Sequence, residues 1–207
     1  MLRTHTIGEI NESLIGKKIT LTGWVDTIRE HGAVIFVDIR DRYGKAQTVI
    51  SKKNNLFDKV KSLTIESSIS ITGKVKERPK GTINEELSSG KVEIEIENVE
   101  VYNLCPPLPY DLNDSGISEE LRMKYRFIDL RGKRMQKNLI LRNTALHTIR
   151  EFFFNEGFIE IETPILAKST PEGSRDYIVP SRNMPGKFYA LPQSPQLFKQ
   201  LSQVGGF

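Results

Sequence analysis

Phe36 stands in the run from Ala33 to Arg40, where period-two spacing puts Ala33, Ile35, Val37 and Ile39 on one face of a strand. Val34, Phe36, Asp38 and Arg40 fall on the other, more polar face. An aromatic ring there can stack on an unpaired base, worth ~1–3 kcal/mol per base; it can equally cover the end of a hydrophobic core. A second segment begins at Ser194-Pro195, where Ser suits a helix N-cap and Pro the first turn. Gln196 and Lys199 then share one helical face, with Leu197 and Leu201 on another. Spacing alone describes an ordinary solvated lysine. Between the two segments, Pro171 and Gly173 bracket Glu172 in a stretch that reads as a mobile loop, 169 to 176. Glu93, with Glu95 and Glu97, reads as the wet face of a strand.

These residues sit in 207 residues with 38% hydrophobic content, room for two unequal packed units. The formal charge of +4 permits a polyanion partner without demanding one. Its distribution says more: Arg122, Lys124, Arg126, Arg131, Lys133, Arg134, Lys137 and Arg142 face a single acid, Asp129. Such a run serves either as a solvated face or as an RNA-facing surface. One cysteine, Cys105, excludes an internal disulfide and a Cys-rich metal site, and fits a reducing compartment. No apolar run approaches the ~20 residues of a membrane span, and the N-terminus has no signal-peptide core. The expectation is a cytoplasmic protein without membrane contact.

Alternation broken by turn residues predicts five short strands, at 18–30, 33–41, 45–51, 68–79 and 91–102, with a helix at 54–63 after the third. That order is expected of an OB-fold barrel, whose open face commonly binds single-stranded nucleic acid. Pro106, Pro107 and Pro109 then make a stiff linker. Ser118 is a candidate helix N-cap. A long helix follows through the run from Gln136 to Gly157, with Leu139, Leu146, Ile149 and Phe153 as its apolar stripe and Gly157 at its C-terminal end. Phe158 to Glu162 alternates as a strand that Thr163-Pro164 terminates.

The strings FIEIETPILAKSTPEGSRDYIVPSR (158–182) and KFYALPQSPQLFKQL (187–201) resemble the start of the class II aminoacyl-tRNA synthetase catalytic domain. TPEG together with QSPQLFKQ is similar to the bacterial-type aspartyl-tRNA synthetases, and the resemblance extends to residue 1. It implies a β-barrel plus α/β organisation: a five-stranded OB-fold anticodon-binding domain at 1–104, a hinge at 105–130, and the beginning of an antiparallel-sheet catalytic domain at 131–207. The family's later catalytic motifs would lie beyond Phe207, so the expectation is the amino-terminal part of a longer enzyme. ATP and Mg²⁺ would then bind mostly outside this chain, which offers no catalytic residue and no metal site of its own.

The resemblance also implies residue roles. Phe36 would stack the middle anticodon base with Gln47 beside it; Arg29 and Glu93 would read the first base, and Asn84 would assist from a loop. His31 and Gly81 would flank the third base, which distinguishes tRNA(Asp) from tRNA(Asn); relatives that charge both often carry His and Gly there. Glu172 would meet the α-ammonium of L-aspartate, Lys199 its side-chain carboxylate, and Gln196 and Ser194 would complete that site. Gly157 and Pro164 belong to a motif that builds a homodimer interface. The implied activity is ATP-dependent aspartyl-adenylate formation and transfer to the 3′ end of tRNA(Asp), with tRNA(Asn) a second acceptor. A different class remains open, a non-catalytic tRNA-anticodon-binding module.

Overall fold

Branched side chains recur at alternate positions within the strands between Ile19 and Ile96, and five strands curl until those side chains face one another. The computed structural model describes residues 2–170 and 173–207, which divide into two units between Asp111 and Leu112. In the first unit, β1 (Lys18–His31), β2 (Val34–Arg40), β3 (Lys45–Ser51), β4 (Ser68–Glu77) and β5 (Val92–Asn103) close a barrel in the order β1-β2-β3-β5-β4. Neighbours are antiparallel except β3 and β5, which meet in parallel at Thr48–Ile94 and Val49–Glu95. This is the expected five-stranded OB-fold. Ile19, Leu21, Val25, Ile35, Val37, Ile39, Ile71 and Ile94 are all at most 1% exposed, and each buried branched side chain contributes ~1.5–3 kcal/mol. Ile7, Ile10 and Leu14 from the N-terminal segment join the same core.

One irregularity decides what the outer face presents. In β1 the inward residues are odd-numbered through Val25, yet Ile28 also packs on the core. The pairing with β2 slips there: Val25 opposes Ile39 and Thr27 opposes Asp38, so Asp26 is the extra residue of a β-bulge. The slip reverses parity, and Arg29 therefore emerges outside, directly opposite Phe36. A second bulge falls at Thr72/Gly73 between β4 and β5. A Cβ on Gly73 would lie 2.2 Å from the Glu95 carbonyl oxygen, so only glycine lets these strands approach this closely.

The helix expected at 54–63 is shorter, α1 (Phe57–Lys61). Asn54 is the reason: its Oδ1 accepts from the Leu56 N–H at 2.9 Å and its Nδ2 donates to the Ile96 carbonyl at 3.2 Å, committing the first residues to a turn.

The second unit contains α2 (Glu119–Lys124), α3 (Arg126–Asp129), α4 (Lys133–Asn155), the hairpin β6 (Tyr177–Pro180) and β7 (Phe188–Leu191), and α5 (Gln196–Val204). Ser118 caps α2, its Oγ accepting from the Leu121 N–H at 3.3 Å. Part of the basic run is internally paired: Asp129 accepts from Arg122 Nε at 2.8 Å and from Arg126. The Arg122 hydrogen bond, followed by the neighbouring arginine charges, holds the Asp129 carboxyl below the usual aspartate value.

Helix α4 ends in a Schellman motif. Gly157 adopts φ +81°, its N–H donates to Phe154 O, and the Phe158 N–H donates to Phe153 O at 2.9 Å. The Phe153 and Phe158 rings close the motif edge to face, centroids 5.2 Å apart. Two expectations are corrected here. Residues 158–162 form no strand, because a strand is defined by its ladder and these residues have no hydrogen-bonded neighbour strand among the described residues. The apolar stripe of α4 is not a single buried seam either: Phe153 is 46% exposed, and Ile140, Leu141, Phe152 and Phe154 spread exposed apolar surface round the helix. No helix among the described residues is long and apolar enough to cross a membrane.

Candidate functional site

The outer face of β1, β2, β3 and β5 gathers the residues that sequence reasoning picked out one by one. Arg29 and Phe36 are cross-strand partners, the guanidinium carbon 6.0 Å from the ring centroid. His31 meets the same ring edge to face at 6.0 Å. Asp38 pairs across to Gln47 in the next strand. Arg29 Nη2 donates to Asp38 Oδ1 at 2.9 Å and to Gln47 Oε1 at 3.2 Å; Gln47 Nε2 donates to Glu93 Oε2 at 2.8 Å. Phe36 is half-buried and is not among the residues of the barrel core. Gln47 differs from expectation: it is buried, and its amide is engaged at both ends. An amide offers two N–H groups and two lone pairs, so one of each remains beyond these bonds.

A ladder of alternating charge, unseen in the sequence, runs on from Asp38. Lys45 Nζ lies 3.2 Å from Asp38 Oδ2 and 2.6 Å from Asp26 Oδ2; Asp26 Oδ1 meets Arg40 Nε at 3.0 Å, and Arg40 pairs with the buried Glu66. Burial pushes the Asp26 carboxyl up, but Lys45 and Arg40 outweigh it and leave the pKa lowered. Burial likewise pulls the Lys45 ammonium down, while Asp26 and Asp38 together raise it. The bulge is what aims Asp26 at this ladder.

The loop between β4 and β5 holds the remaining candidates. Gly81 has φ +88° with open space around it, so any side chain there would be strained by its backbone alone. Asn84 turns its Oδ1 to the Glu86 N–H at 3.0 Å, shaping the loop. Arg78, which the sequence did not single out, secures the base of that loop: Nε donates to Val92 O at 3.0 Å and Nη1 to Thr82 O at 3.3 Å. Burial lowers its pKa against the opposing charges of Glu93 and Asp38.

In the second unit Glu172 lies outside the described residues. The loop that carries it is pinned on either side: Asp176 Oδ2 accepts from Ser169 Oγ at 3.0 Å and from the Thr170 N–H at 3.3 Å, and Gln193 Nε2 donates to Ser174 Oγ at 2.6 Å. Ser194 departs from the expected cap. The N-cap position is Pro195, and Ser194 Oγ, one residue earlier, accepts from the Gln196 N–H at 3.2 Å. Gln196 and Lys199 are both exposed, on the first turns of α5. Pro164 and Phe198 line a shared hollow with Thr163 and Leu191. Among the described residues no three His, Cys, Asp or Glu side chains converge as a metal site.

Residues 19–102 match the OB-fold nucleic acid binding domain family, and residues 118–207 match the tRNA synthetases class II (D, K and N). The chain is 52% identical over 207 residues to the aspartate–tRNA(Asp/Asn) ligase of Thermotoga neapolitana, covering 100% of this chain and 36% of that protein. The corresponding ligase of Aquifex aeolicus is 51% identical over 211 residues, covering 99% of this chain and 34% of the relative. This chain thus spans about a third of the length of the curated relatives it matches (36% and 34%). Among solved structures, asparaginyl-tRNA synthetase from Pyrococcus horikoshii with asparaginyl-adenylate superposes with TM-score 0.85 at 29% identity, covering 99% of this chain and 46% of that one.

Proposed function

We propose that the chain, whose residues 118–207 match the class II tRNA synthetases (D, K and N) and whose residues 19–102 match an OB-fold nucleic acid binding domain, serves an aspartate–tRNA ligase. In that reaction the α-carboxylate of L-aspartate attacks the α-phosphate of ATP, releasing pyrophosphate and leaving aspartyl-adenylate. A hydroxyl of the 3′-terminal adenosine of tRNA then attacks the acyl carbon and releases AMP. The acceptor is tRNA(Asp), with tRNA(Asn) a second, a reading supported by the Asp/Asn designation of the relatives and by His31 beside Phe36. Mg²⁺ would neutralise phosphate charge in the complete enzyme.

The observation that carries the proposal is the convergence of Arg29, His31, Phe36, Gln47 and Glu93 on one outer face of the barrel. A half-buried ring flanked by fixed donors and acceptors suits splayed, unpaired bases, stacking them and reading their edges. Phe36 and Gln47 take the middle anticodon base, Arg29 and Glu93 the first, with Asn84, His31 and Gly81 at its margin. In the second unit Lys199 supplies the cation for the aspartate carboxylate, with Gln196 and Ser194 beside it and Glu172 closing from the loop. The exposed apolar surface of α4 and of Phe158, Ile159 and Ile161, next to Gly157 and Pro164, suits a homodimer interface in the complete, cytoplasmic enzyme.

The test is a fluorescence titration of the chain with GUC, GUU and middle-base-swapped anticodon stem-loops at one fixed salt concentration. Loss of binding on the middle-base swap alone, with GUC and GUU equal, supports the reading and dual acceptance. Preference for GUC restricts it to tRNA(Asp). Equal weak binding to all three overturns anticodon recognition. Aspartate-dependent ATP–pyrophosphate exchange by the complete protein separates a ligase from a binding module.

A further inference from the structure

We propose that Asp38 is a positioning residue for base recognition, a buried carboxylate that aims Arg29 at the incoming base and, through Arg29, locks the Gln47 amide in one orientation. The inference rests on the reading of Arg29 as a base-edge reader given above. Its geometry is that of an anchor and an arm: the Asp38 side chain is 9% exposed and that of Arg29 44%. A buried carboxylate needs charged partners, and Asp38 has two, Arg29 on Oδ1 and Lys45 near Oδ2. Without the anchor, a long exposed arginine would have to be ordered at the moment of binding.

The amide orientation follows from which partners can donate. Arginine only donates and a carboxylate only accepts. Gln47 must therefore turn Oε1 to Arg29 and Nε2 to Glu93, as the bonds at 3.2 Å and 2.8 Å have it. A reversed amide would set a donor against Arg29 and an acceptor against Glu93. Both known bonds of the Arg29 fork leave from Nη2, and a guanidinium carries five N–H donors, so the held fork still has donors for the acceptor edge of a guanine.

The experiment titrates the chain with two stem-loops that differ only at the first anticodon base, guanine or adenine, at one salt concentration. It compares the native chain with Asp38→Asn, Arg29→Gln and the double variant. The native preference for guanine is expected to fall about tenfold in Asp38→Asn. The double variant is expected to discriminate no worse than Arg29→Gln, because Asp38 acts through Arg29. A preference retained in Asp38→Asn overturns the positioning role alone, and so do additive losses, which would mean Asp38 merely supports the strand. A native chain with no preference overturns the base-reading of the site, and this inference with it, before any variant is made. If Asp38→Asn does not fold, nitrogen-15 spectra of the native chain decide: resolved, slowly rotating Arg29 Nη signals support the anchor, and one averaged signal overturns it.

Discussion

Lys45 reaches Asp26 across the barrel wall, Nζ to Oδ2 2.6 Å, from a strand that is not the neighbour of β1. Both side chains are largely shielded, and the partnership lowers the Asp26 pKa while raising that of Lys45. The lowered Asp26 pKa contributes stability that is present above the unfolded carboxyl value and disappears as pH falls through the lower, folded value. The raised Lys45 pKa contributes below its unfolded value and is lost as pH rises through the folded one. Asp26→Asn should therefore cost about 1–3 kcal/mol near neutral pH. The difference from the native chain should shrink in strong acid, as urea melts across a pH series would show. A pH-independent difference would remove the ion pair as the cause.

Phe36→Ala should weaken anticodon stem-loop binding by ~1–3 kcal/mol, roughly five- to 150-fold. The melting temperature should move little, since the ring lies outside the core. Unchanged affinity would dismiss stacking.

Lys199→Met, made in the complete protein, should raise KM for aspartate roughly ten- to 150-fold, the equivalent of the ~1.5–3 kcal/mol of a hydrogen bond to a charged group. Pyrophosphate exchange measured against aspartate concentration reads this directly. Lys199 is exposed, so folding should be unaffected, and an unaltered KM would exclude the carboxylate clamp.

Gly157→Ala should destabilise the end of α4 by about 1–2 kcal/mol through its left-handed backbone alone, because nothing beyond the two flanking residues lies within 4 Å of the added methyl. Hydrogen exchange at Phe158, whose amide closes the motif, would report the loosening. Protection equal to that of the native chain would contradict it.

The strands were legible because inward branched residues repeat every second position. Gly157 was legible because a helix that stops needs a residue able to take positive φ. The polar face was legible only in pieces. Arg29, Phe36, Gln47 and Glu93 come from strands far apart in the chain, and sequence spacing carries no register between them. The bulge left one trace: inward residues run odd through Val25 and even at Ile28, a phase slip that marks Asp26 in retrospect. Asn54 deceived the helix boundary because its side chain competes with the helix for backbone partners. The segment 158–162 deceived because alternation specifies a pleat, whereas a strand also needs a neighbour.

The parallel seam of β3 and β5 joins at two residue pairs, Thr48–Ile94 and Val49–Glu95, between strands separated by α1 and β4. Contacts that bridge so much chain are entropically expensive to close and are expected to form late in folding. Gln47 and Glu93 clasp hands one step along that same seam. The proposed reading surface is therefore also the fastening of the barrel, and an RNA bound there would act as a kinetic lock, slowing the opening of the domain more than it hastens its assembly.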